Sequence, residues 1–66
     1  MRRKTNMSRL IIRKKKHYSN QSWNVELIQG ELSFYRAYDV EEYRADKEVD
    51  RLEAIYTEAK IEEYSP

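Results

Sequence analysis

Apolar and polar residues alternate on both sides of Gly30. The run Trp23, Val25, Leu27 is interleaved with Asn24 and Glu26, and Leu32 and Phe34 with Ser33 and Tyr35. A period of two marks a half-buried strand, and a two-residue Gln29-Gly30 turn between the runs predicts a hairpin, with glycine supplying the positive φ. That turn sets Leu27 opposite Leu32, Val25 opposite Phe34 and Trp23 opposite Arg36. Trp23, Val25, Leu27, Leu32 and Phe34 then share one face, and Asn24, Glu26, Ser33 and Tyr35 the other.

Upstream, Arg9 to Tyr18 reads as a first strand, with Leu10 and Ile12 on its apolar side, followed by the turn-like Ser19-Asn20-Gln21-Ser22. Downstream, Asp39 stands three residues before Glu42, the spacing of a capping box, and neither Gly nor Pro recurs before Pro66. A helix of about 25 residues is therefore predicted. Its apolar stripe is Ala45, Val49, Leu52, Tyr56 and Ala59, with Ile55 on the shoulder. The expected fold is α+β: a three-stranded antiparallel meander covered on one face by one long C-terminal helix, in the order β-β-β-α. Residues 1–8 are expected to form a flexible basic arm, and residues 9–66 a single domain.

With 66 residues the chain has room for one shallow core and no deep pocket. It has no cysteine, so disulfides and thiolate metal sites are excluded, and a partner or a second copy becomes an attractive source of stability. No apolar run reaches membrane-spanning length, and the basic start leads into polar residues rather than a signal-peptide core. A cytoplasmic protein, of the host cell if viral, is expected.

Catalytic chemistry is thin. His17 stands alone in a basic run and reads as an exposed residue; there is no glycine-rich phosphate loop, and the carboxylates lack the spacing of a calcium loop. The expectation is a non-enzymatic binding protein without cofactor or metal.

Charge divides the chain. Residues 1–18 carry eight bases and no acid, whereas residues 19–66 carry five bases and all 12 acids, a net of −7. Such asymmetry points to a charged partner or to a neighbouring copy, and self-assembly of unlike segments into a dimer or filament is one expectation. The basic residues Arg2, Arg3, Lys4, Arg13, Lys15 and Lys16, joined by Asn24 and Tyr35 on the outer sheet face, make a candidate site for duplex DNA. The element order, with Trp23 opening the second strand, the hairpin through Gly30 and Asp39-x-x-Glu42 before the helix, resembles integrase arm-binding domains and plant ethylene-response-factor DNA-binding domains over roughly residues 9 to 60. That resemblance implies DNA reading by the sheet; the glycine and arginine signatures of those families are absent, and Glu26 and Glu31 lie near the reading face.

The competing candidate is helical. Tyr43, Ile61 and Tyr64 on one long helix, with Glu42, Asp46, Asp50 and Glu53, would form an acidic, tyrosine-bearing strip for docking on a basic or nucleic-acid-binding protein. Small charged proteins of this type are common among viral and mobile-element accessory factors and inhibitors. On the sequence alone, protein binding stands slightly ahead of DNA binding.

Overall fold

Alternation in the first 40 residues yields three strands: β1 (Leu10–Lys16), β2 (Trp23–Gln29) and β3 (Leu32–Val40). A helix, α1 (Glu42–Ile55), and a further strand, β4 (Lys60–Tyr64), complete the chain in a computed structural model that describes residues 9–16 and 21–64. The sheet runs β3-β2-β1-β4, antiparallel between β3, β2 and β1 and parallel between β1 and β4. The α+β class is as expected, but the sheet has four strands and is mixed. The basic arm at residues 1–8 and the expected turn at Ser19 and Asn20 lie outside the described residues.

The hairpin forms with its turn one position later than the sequence indicated. Gln29 pairs with Leu32 and Leu27 with Phe34, so Gly30, at φ +60°, and Glu31 make the turn. A pairing shifted by two residues leaves every side chain on its expected face. Further along, Glu26 pairs with Tyr35 but Val25 with Ala37, which leaves Arg36 as the extra residue of a bulge. A second irregularity brings Trp23 opposite Val40. There Asp39 adopts φ +60°, and its N–H donates to Asn24 Oδ1 at 2.8 Å.

Asp39 therefore belongs to β3, and the capping box does not form. Glu41 precedes the helix without a side-chain cap, and its carbonyl accepts from the N–H groups of Arg44 and Ala45. The helix spans 14 residues rather than about 25 and closes at Tyr56, whose N–H bonds the Leu52 carbonyl. What ends it is tertiary: residues 60–64, Lys-Ile-Glu-Glu-Tyr, lie along residues 11–15, Ile-Ile-Arg-Lys-Lys. Ile61 meets Ile12, Glu62 meets Arg13 and Glu63 meets Lys14. Unlike charges are matched residue by residue on both faces of an otherwise unpaired strand edge, which outweighs local helix propensity.

Ile12, Trp23, Val25, Leu27, Ala45 and Leu52 form the buried core, with Val49, Tyr56 and Ala59 packed around it. The expected stripe is thus the one that packs, although Tyr56 and Ala59 act from the turn after the helix. Leu32 and Phe34, expected in the core, are 60% and 48% exposed, and Ile55 is 56% exposed. The connectivity explains the first two. The helix leaves from the far end of β3 and must reach β4 at the opposite edge, so it crosses β2 and β1 and leaves the start of β3 uncovered.

Candidate nucleic-acid interface

Neighbouring residues of β1 point to opposite faces, so its basic run is split between two environments. Lys14 goes to the helix-covered face and is 6% exposed. Its ammonium donates to Glu42 Oε2 at 2.9 Å, lies 2.6 Å from Asp46 Oδ1 and 4.0 Å from Glu63, and sits 4.4 Å from the centre of the Trp23 ring. Burial pulls its pKa down, but the hydrogen bonds to Asp46 and Glu42 and the charges of Asp46 and Glu63 outweigh this and hold it above the ordinary lysine value. One cation thereby ties β1, the first turns of α1 and β4 together. Lys16, on the same face, lies 6.0 Å from the Trp23 ring centre.

Arg13 goes to the open face, where no helix packs. It donates from Nε and Nη2 to Glu62 Oε1 at 3.3 and 3.2 Å and lies 4.0 Å from Glu26. Tyr64 packs its ring 5.0 Å from the guanidinium. Glu26 also accepts from Ser33 Oγ, and Glu62 from Tyr64 Oη. The two acids on this face are thus drawn onto one arginine.

Three further cations lie at or beside the open face. Lys15 is exposed and pairs in register with Asn24 and Tyr64; Lys60 pairs with Ile11 at the other end of β4; Arg9 immediately precedes β1. Among the described residues no ion pair engages Arg9, Lys15 or Lys60. Arg9 and Lys60, with Leu10 and Glu58, line an open hollow of about 400 Å³. Tyr35 and Tyr38 stand edge to face on the same side of β3, their centres 5.0 Å apart, and both are exposed.

The sequence candidates are redistributed accordingly. Of the DNA set, Lys15 and Tyr35 remain exposed on the open face, Arg13 is there but paired, and Lys16 lies on the other side. Asn24 is buried with its amide oxygen on the Asp39 N–H, a structural role rather than a contact role. Arg2, Arg3, Lys4 and His17 lie outside the described residues. The helical strip does not form. Tyr43 and the exposed Asp50 and Glu53 are on α1, Glu42 and Asp46 turn to Lys14, and β4 carries Ile61 on the covered face and Tyr64 on the open one. The segments of opposite charge, expected to meet between copies, meet through Arg13 and Lys14 within one chain.

Two residues of the open face escape sequence reasoning. Helical periodicity takes in Lys60, and the bulge at Arg36 moves Tyr38 to the open face, a shift that strand alternation alone does not anticipate. No helix among the described residues is long and apolar enough to cross a membrane. No family model matches the chain, and comparison with curated proteins and with solved structures gives no match. The shape resemblance to the two DNA-binding families is further reduced by β4, which occupies the free edge of β1.

Proposed function

We propose that the protein is a small non-enzymatic module that binds DNA in a sequence-tolerant way through its open sheet face, extended by the basic residues Arg2, Arg3 and Lys4. The observation that carries this reading is the separation of charge and aromatic side chains between layers. The open face carries Lys15 and Lys60 on β1 and β4 and the pair Tyr35 and Tyr38 on β3, with Arg9 beside it; Glu26 and Glu62 are occupied by Arg13, and Glu58 lines the hollow with Arg9 and Lys60. The helix on the opposite side carries five acids against three bases. Cations of this kind contact phosphates, and exposed tyrosine rings stack on bases with little regard for sequence.

A salt titration with labelled random duplex and single-stranded DNA tests the reading. Six phosphate contacts, three from the sheet side and three from the arm, give a slope of log affinity against log salt near −5, or a loss of roughly 10³ between about 50 and 200 mM salt. The double substitution Lys15→Ala/Lys60→Ala makes the slope shallower by about 2. Absence of binding at the lower salt overturns the reading.

A second reading, docking on a basic protein surface, rests on Tyr43, which is exposed on α1 together with Asp50 and Glu53. Its test is binding to a labelled basic peptide, lost in Tyr43→Ala/Glu53→Lys without loss of fold.

A further inference from the structure

Exposed aromatic rings mark both edges of the open face. Tyr35 and Tyr38 stand on β3, each 59% exposed, and Tyr64 stands exposed on β4 with its ring against the Arg13 guanidinium. Between the edges lies Lys15 of β1, in register with Tyr64 on one side and with Asn24 on the other, and Asn24 faces the Tyr38–Asp39 step. None of the three rings belongs to the buried core. An aromatic sheet face with cations beside the rings is a platform on which bases stack.

We infer that this face takes unpaired strands in preference to duplex, an inference that rests on the reading of it as a DNA-binding surface. The first reason is width. Neighbouring strands lie about 4.8 Å apart, so four of them span about 14 Å between the outer axes, more than the roughly 12 Å of a major groove, which admits a helix or a two-stranded ribbon. The second reason is access to the bases. A tyrosine ring stacks on a bare base face, and inside a duplex both faces of each base are covered by its neighbours, whereas an unpaired base can be splayed out. The placement of charge agrees. Lys60 and Lys15 lie at opposite ends of the β1–β4 pairing, with Glu62 between them on β4. A flexible single strand can bring phosphates to each lysine and pass its backbone around the carboxylate, whereas a duplex, stiff over this distance, lies across the carboxylate as well. Electrostatics alone gives the opposite order, because duplex DNA carries the denser charge. A preference for single strands therefore reports on the rings.

Fluorescence anisotropy at one low salt concentration tests this, with labelled oligo-dT of about 15 nucleotides, oligo-U of the same length and a random duplex of the same length. Oligo-dT is expected to bind at least about 10-fold more tightly than the duplex. Tighter binding still to oligo-U would keep the preference for unpaired bases and name RNA as their source. Tyr35→Leu/Tyr38→Leu keeps apolar side chains at both positions but removes the rings. It should weaken single-strand binding at least about 10-fold and duplex binding less than about twofold, with the circular dichroism spectrum intact. Tyr35→Phe/Tyr38→Phe keeps the rings and should keep the preference, and Tyr43→Leu on the helix should leave it unchanged. Duplex binding as tight as that of the single strands, or a preference that survives in the leucine variant, overturns this inference and leaves DNA binding by the open face standing. Absence of binding to all three overturns both.

Discussion

The covered and open faces of the same strand treat their cations in opposite ways. On the covered face Lys14 is enclosed by Trp23 and three carboxylates from two other elements, so its charge serves to hold β1, α1 and β4 in place. On the open face Arg13 draws in both nearby acids, and Lys15 and Lys60 stand exposed, Lys15 in register with Tyr64. A run of four consecutive bases is therefore several sites, and strand alternation decides which charge stabilises the fold and which meets the outside.

Substitutions on the two faces separate these roles. The largest effect is expected at Leu52, fully buried under the sheet: Leu52→Ala should cost about 3 kcal/mol, measured by urea denaturation, a large share of the stability of so small a domain. Next comes Lys14→Ala, which leaves Glu42, Asp46 and Glu63 without their cation. Because those acids are half exposed, the cost is about 2 kcal/mol, and Lys14→Met, which keeps the packing on Trp23, should cost less. Lys15→Ala should change stability by no more than about 0.5 kcal/mol while weakening DNA binding. Removing an acid from the open face acts in the other direction: Glu62→Gln should release Arg13 and raise DNA affinity by about threefold at low salt.

Alkaline pH sharpens the contrast further. The folded-state pKa of Lys14 lies above the unfolded value, so the folded protein holds this proton more tightly than the unfolded chain. The stability it contributes is fully present below the unfolded value of 10.5 and is lost as pH rises through the folded one. Urea midpoints measured on either side of pH 10.5 should fall further in the parent protein than in Lys14→Met.

Much of the covered face was legible in the sequence. The alternation about Gly30 and the stripe Ala45, Val49, Leu52, Tyr56, Ala59 depend on local periodicity, which burial of one face imposes directly. The exposure of Leu32 and Phe34 was not legible, because alternation says which face a residue takes but not whether a helix reaches it. The fourth strand was hidden by a segment without glycine or proline that reads as helix. Its signal was non-local: Ile61, Glu62 and Glu63 complement Ile12, Arg13 and Lys14 in order, a match visible only when the two segments are set side by side. That hidden strand also moved Ile61, Tyr64 and Lys60 off the helix, which dissolved one candidate surface and completed another.

Equal charge reversals on opposite layers of the molecule give the sharpest test of DNA binding by the open face. Lys15→Glu/Lys60→Glu on the sheet and Arg44→Glu/Lys47→Glu on the helix change net charge identically, and DNA affinity is measured for each by fluorescence anisotropy at low salt. A loss of at least roughly 100-fold is expected for the sheet pair and less than about fivefold for the helix pair, since counterion release requires cations at the phosphates. Equal losses would mean that net charge alone governs binding, and an unaffected sheet pair would mean that the open face is not where DNA lies.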